Sequence, residues 1–313
     1  MHGRRKILFL AIVVVVLSGC DLDEIASFGN SHAYEKDFHQ SYPLKSGGRL
    51  SVDNFDGAVE IRGWDQDKVE IDGVQYASTA RMRDAIKIDV AATGDSVQIR
   101  TIRPAGSRWN MGVKYVIKAP RKVNLDRIVT SNGAVRVDEI EGLLRVRTSN
   151  GSVRVAQVRG EVEVQTSNGT VEVRDLDGPA VIRTTNGGVR AHEIRGALQA
   201  STSNGGIEAR MREPEPHRPI KLSTTNGGID LTMDRLDDNE VRATTSNGGI
   251  TLKLPSRIDA RVRARTSQSS IRTDFDVKRE GSNDKSHLEG VIGAGGPTLE
   301  LTTSNGSIRL LKL

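Results

Sequence analysis

The stretch Thr130-Ser131-Asn132-Gly133-Ala134-Val135-Arg136-Val137 returns eighteen residues later as Thr148-Ser149-Asn150-Gly151-Ser152-Val153-Arg154-Val155. A fixed period of this length marks a repeat architecture, so the fold is read outward from it. The motif ends at Asn132, Asn150, Asn168, Asn186, Asn204, Asn226, Asn247 and Asn305, each followed by glycine, with Thr266-Ser267-Gln268-Ser269 as a degenerate copy. The first four steps are 18 residues each, the next three are 22, 21 and 21, and the last is 37. Residues have been inserted without erasing the pattern. Upstream, Asp56-Gly57 followed by Val59 and Ile61 reads as an irregular founding turn of the same kind.

Three and five residues after each asparagine stand Val135 and Val137, Val153 and Val155, Val171 and Val173, and so on to Ile308 and Leu310. In the regular units another apolar residue follows at eight (Ile140, Val158, Leu176, Ile194), a glycine at ten, and an apolar pair at twelve and fourteen, such as Leu144 with Val146. Each unit thus holds two short strands of period two. The jump of three between the fifth and eighth positions breaks that parity and calls for a bend. An antiparallel meander, with a hairpin at each Asn-Gly, would leave the apolar face of an open sheet uncovered. A β-solenoid, whose parallel coils stack about 4.8 Å apart around a shared narrow core, needs no missing partner. The expected fold is therefore all-β: a parallel β-helix-like solenoid of 18 to 22 residue coils over residues 129–313, capped by an irregular N-terminal β section over 49–128. Within that section Ala77–Ile86 reads as a short helix, and Val113, Tyr115 and Ile117 as a strand ending at Pro120.

The solenoid gives the repeated residues a role. Asparagines at one bend of successive coils can stack their amides into a hydrogen-bonded ladder, and the glycine after each tolerates backbone angles that other residues resist. Losing one amide from a dry ladder would cost about 1 to 3 kcal/mol. Four residues after the asparagines stand Arg136, Arg154, Glu172, Arg190, Glu208, Asp230, Thr251 and Arg272, whose alternating signs suit pairing between coils. The segments Arg212–Pro219 and Asp276–Gly296 must bulge from the wall, and inserts of this kind often carry the binding face of a repeat protein. Residues 307–313 form a strand-like end with no evident cap, which self-association would satisfy.

At the N-terminus Arg4, Arg5 and Lys6 precede the apolar run Ile7–Leu17, and Leu17-Ser18-Gly19-Cys20 follows. This is the pattern of a secretory signal peptide over residues 1–20, and the apolar run is shorter than the roughly 20 residues a spanning helix needs. The end of the run resembles the lipobox of bacterial lipoproteins, in which the cysteine is acylated with palmitate-type chains and becomes the first residue. Cys20 is the single cysteine, so it is the expected lipidation site, and an internal disulfide or a cysteine metal centre is excluded. Two or three acyl chains anchor a protein where one would not. Residues 21–48 are polar without sustained periodicity and read as a tether. The expected location is the bacterial cell envelope, with inner and outer membrane both open. Once Arg4, Arg5 and Lys6 are removed, 42 basic residues face 40 acidic ones, so net charge makes no case for nucleic acid.

A search for chemistry finds no catalytic constellation. The six histidines lack metal spacing, and no His-Glu-x-x-His or Gly-x-Ser-x-Gly occurs. No cofactor or metal is expected. Eleven aromatic residues, none recurring along the repeats, offer no sugar platform for a carbohydrate-active β-helix enzyme, which remains an alternative. A self-assembling structural or envelope-sensing protein is another. The segment Asp56-Gly57-Ala58-Val59-Glu60-Ile61-Arg62-Gly63-Trp64-Asp65, the repeated Thr-Ser-Asn-Gly with Val-x-Val, and Gly293-Ala294-Gly295-Gly296-Pro297 before the last repeat together resemble the bacterial putative-adhesin family of β-strand-repeat lipoproteins, a domain of unknown function. The resemblance covers residues 45–313 and implies no catalytic residues. The resulting expectation is a membrane-anchored, non-enzymatic binding or adhesion scaffold whose partners are lipid, through Cys20, and an envelope or surface polysaccharide or protein.

Overall fold

The computed structural model describes residues 34–106, 110–280 and 284–313, so Cys20 and the signal segment lie outside the described residues. Each regular repeat supplies a longer and a shorter strand, as in Val135–Glu141 with Leu144–Arg147 and Val153–Arg159 with Val162–Gln165. Longer strands pair in parallel one repeat apart, with Val153 opposite Val135 and Val158 opposite Ile140. Shorter strands do the same in a second sheet, with Val162 opposite Leu144. The chain is therefore a β-solenoid with two long, mainly parallel sheets of thirteen and fourteen strands among the described residues. Every residue assigned to the inside of the regular repeats is buried, including Val135, Val137, Ile140, Leu144 and Val146. At about 1.5 to 3 kcal/mol for each fully buried Val, Leu or Ile, this shared column is the main stabilising term.

The parity break is resolved by a single residue per coil. Glu139, Gln157, Asp175 and Glu193 take left-handed backbone angles with φ between 51° and 62°. Each turns the chain so that Ile140, Val158, Leu176 and Ile194 point inward again.

The glycine after each asparagine has a different reason than its expected tolerance of unusual angles. None of Gly133, Gly151, Gly169 and Gly187 has a positive φ; that role belongs to Gly142, Gly160, Gly178 and Gly196, with φ of 137° to 147°. What the first set requires is proximity. A Cβ on Gly151 would lie 1.8 Å from the Gly133 carbonyl oxygen, and one on Gly187 would lie 1.9 Å from that of Gly169.

At both ends the order of strands in space departs from their order in sequence. Val59–Trp64 sits between Val135–Glu141 and the later Met111–Pro120, and Arg49–Asp53 sits between Asn124–Val129 and Ser96–Ile102. Likewise Thr298–Thr303 lies between Val241–Thr244 and Ala260–Thr266, while Ile308–Lys312 lies between Ile250–Leu254 and Ile271–Thr273. The final strand is thus an interior strand, not the open edge expected of residues 307–313. Antiparallel strands close the stack beyond these coils: Tyr34–Pro43 on Lys68–Ala77 at one end, and Val277–Arg279 on His287–Ile292 at the other.

Two expectations for the N-terminal half need revision. The strand Tyr34–Pro43 falls within the span read as a tether. Most of its side chains are exposed, so no sustained apolar alternation marks it; backbone pairing sets its place, with Phe38 and Tyr42 half-buried against the core and Phe38 edge-on to the Tyr115 ring at 6.0 Å. The helix is shorter than expected, Ala80–Ala85, and starts where the Thr79 side chain accepts from Met82 N. An ionic seam joins this half to the repeats: Arg62 Nη2 donates to Glu139 Oε1 at 2.7 Å, Arg121 donates to Glu139 Oε2, and Arg121 Nε reaches Asp65 at 2.8 Å.

Two predictions follow from these contacts. Gly187→Ala should destabilise the fold by about 3 kcal/mol or more, whereas Gly188→Ala next to it should stay within about 0.5 kcal/mol, because a Cβ there meets nothing closer than 3.4 Å; urea unfolding compares them. Hydrogen bonds from Arg62 and Arg121 hold the Glu139 carboxyl below the usual glutamate range. Its contribution is therefore complete above that range and fades as pH falls through the lowered value, so Glu139→Gln should flatten the acid limb of a stability-versus-pH curve.

Candidate ligand-binding crevice

A coil has two corners, and the first is occupied by two parallel ladders. On the outside, each asparagine Nδ2 donates to the Oδ1 of the one before it, from Asn305 to Asn247, Asn226, Asn204, Asn186, Asn168, Asn150 and Asn132, over 2.6 to 2.8 Å. Asn132 ends the run by donating to Asp56 Oδ2 at 2.6 Å. A carboxylate only accepts, so it suits the end of a chain of donors. Tyr76 donates to the other Asp56 oxygen at 2.8 Å, and burial, then the Asp56 charge, push its hydroxyl pKa upward.

On the inside runs a ladder that the motif displayed but the sequence reading did not assign. Thr130, Thr148, Thr166, Thr184, Thr202, Thr224, Thr245, Thr303 and Thr266 are buried. Each hydroxyl donates to a glycine carbonyl of an adjacent coil, over 2.7 to 3.3 Å. The threonine that opens every copy of the motif was the available signal. The asparagines are all exposed, so the cost expected for a dry amide ladder belongs to the threonines instead. The charged column on the first sheet pairs only in part: Arg154 reaches Glu172 at 3.5 Å, while Arg136 turns to Asp138 in its own strand at 3.2 Å.

The second corner differs between the two halves of the repeats. In the regular coils it is closed by backbone hydrogen bonds, with Gly142 N donating to Arg159 O and Gly160 N to Asp177 O. Among the described residues the inserts meet at this corner, in turns 214–219, 234–240 and 255–259 and at the two ends of the capping hairpin, 274–276 and 293–297. The first insert is pinned by buried Asn239, whose Nδ2 donates to Glu215 O at 2.6 Å and Arg218 O at 3.0 Å. The others splay around an open crevice of about 1000 Å³. Leu236, Ile258, Phe275 and Ile292 supply its apolar surface, with Asp234, Asp237, Asp238, Asp259, Asp276, Arg235, Arg257 and Lys312 around them. Of the two loops expected to bind, 276–296 lines the crevice and 212–219 does not.

Most of the crevice charges have assigned work. Asp259 Oδ1 accepts from Ala294 N at 2.6 Å, Arg235 pairs with Asp237 at 2.8 Å, Asp234 with Arg210 at 3.4 Å, and Lys312 lies 5.4 Å from the Phe275 ring centroid. Among the described residues Arg257 and Asp276 have no salt-bridge partner. One group elsewhere has the donors for a metal ion: His39, Glu70 and Asp72 gather within 4.8 Å. Its charge is already balanced, because Glu70 faces Lys118 at 3.2 Å and Lys68 at 3.6 Å, while His39 meets Asp72 at 2.7 Å.

A family model described as Toastrack DUF4097 matches residues 46–311. A solved structure of a putative cell adhesion protein from Clostridium sporogenes is 10% identical with a TM-score of 0.26, over 89% of this chain and 100% of that one. A putative adhesin from Bacteroides fragilis is 11% identical with a TM-score of 0.35, over 89% of this chain and 97% of that one. No curated protein matches the sequence.

The two ladders make separable predictions. Thr166→Val keeps the shape and strands a buried carbonyl, so it should cost about 1 to 3 kcal/mol, while Asn168→Ala, exposed to water, should cost less than about 1 kcal/mol. Denaturant midpoints of the two variants decide the order.

Proposed function

The chain belongs to the Toastrack DUF4097 family, a family of unknown function, and on that premise we propose that it is a lipid-anchored envelope protein acting as a non-enzymatic binding scaffold. The observation that carries this reading is the position of the crevice. Thirteen strands at roughly 4.8 Å spacing place the edge strand Tyr34–Pro43 some 58 Å from Ile271–Thr273. The crevice opens beside the latter, and the former is the described strand nearest in sequence to Cys20. An acylated Cys20 would hold the near end at the lipid surface, and the rod would present the crevice away from it. The crevice suits binding better than turnover: Asp234, Asp237 and Asp259 brace its own loops, and its apolar surface with Arg257 and Asp276 exposed resembles a recognition surface.

Two measurements test the proposal. Labelled palmitate should enter the wild-type protein and not Cys20→Ser; incorporation into the variant would refute the anchor. The soluble chain from residue 21 should retain an envelope polysaccharide or protein. Arg257→Ala with Asp276→Ala should weaken that retention about tenfold or more, while Arg136→Ala, on the opposite half, leaves it unchanged. Consumption of the retained polymer would make the protein an enzyme.

A further inference from the structure

We infer that residues 298–313 form an arm seated in a slot that a second copy of this chain can fill, so that copies associate by exchanging it. The slot is defined by strands on both sides. Leu299 and Leu301 stand opposite Val241 and Ala243 on one wall and Val262 and Ala264 on the other. Ile308 stands between Ile250 and Ile271, and Leu310 between Leu252 and Thr273. Leu299, Leu301, Ile308 and Leu310 are fully buried by the arrangement.

The chain builds the far wall first. Residues 260–273 stand two coil positions beyond 241–254, leaving one position open between them; the hairpin strands 277–279 and 287–292 come next in the chain, and only then does it return to fill the gap. Until it does, both walls of both sheets present unpaired backbone donors and acceptors, which pair with any strand of matching pattern. The match demanded is narrow. Besides alternate apolar residues, the occupant must offer the corner motif, because Thr303 donates to Gly248 O, Thr266 to Gly306 O, and Asn305 to Asn247 Oδ1. Another copy of the arm meets every one of these conditions with the same contacts.

The arm also has a built hinge. The chain enters it through Gly293-Ala294-Gly295-Gly296-Pro297, where Gly293 and Gly295 take φ of 61° and 85°, whereas the central coils follow one another through short regular corners.

Disulfide trapping in the full chain carrying Cys20→Ser tests this. Thr251 and Arg309 are register partners across one wall of the slot, and Arg154 and Glu172 are partners in two central coils. Thr251→Cys mixed with Arg309→Cys under mild oxidation should give the mixed dimer in excess over like-with-like dimers, about tenfold above the Arg154→Cys and Glu172→Cys mixture, because local opening outpaces global opening. The double variant Thr251→Cys/Arg309→Cys should close an internal disulfide and lose the exchange. No excess of mixed dimer, or equal trapping in the central pair, would overturn the proposal. Failure of the double variant to close would remove the slot itself.

Discussion

Successive coils meet most closely at one glycine. The Gly133 carbonyl oxygen accepts from Thr148, and Gly151 passes over the same oxygen at a distance no Cβ could occupy. The relation repeats coil after coil, so threonine and glycine are both tied to the vertical spacing of the stack. That spacing and the roughly 10 Å between two packed sheets leave a core suited to valine, isoleucine and leucine. Between residues 116 and 274 the sequence contains no aromatic residue at all. Buried rings appear only where regular stacking is interrupted, as with Tyr115 near one end and Phe275 near the other.

What the sequence displayed most clearly was anything that recurs with the coil. The inward positions, the parity break and the asparagine column all share the period, and the structure places Asn132, Asn150, Asn168 and Asn186 in one hydrogen-bonded file. The period does not distinguish inside from outside at a corner, so asparagine drew attention that the buried threonine deserved equally. Nor does it give a reason for a glycine: Gly133 and Gly142 both recur, one for close approach and the other for its backbone angle.

Features set mainly by backbone pairing were not legible. Tyr34–Pro43 has mostly exposed side chains; it is held by its pairing to residues 68–77 and by two half-buried rings, Phe38 and Tyr42, too few to mark a strand by pattern. The reversed strand order at the ends was hidden for a related reason, since each displaced coil has the same apolar spacing wherever it sits. The reversals do physical work. An open-ended stack would expose full-length edges ready to pair with other chains, whereas the far end here finishes in strands of three residues, Ile271–Thr273 and Val277–Arg279.

The same constraint decides where a binding site can arise. At the first corner the threonine and amide ladders require every coil to cross at one height, so an extra residue would break both at once. The second corner is held in its regular part by backbone hydrogen bonds and by exposed ion pairs such as Arg159 with Glu141, and a coil can lengthen there without disturbing its inward residues. Among the described residues the inserted turns accordingly gather on that flank, and where several adjoin they cannot pack as flat layers. The crevice is what remains between them. Its location is therefore a consequence of how the coils are fastened, and only its lining is free to vary with the ligand it serves.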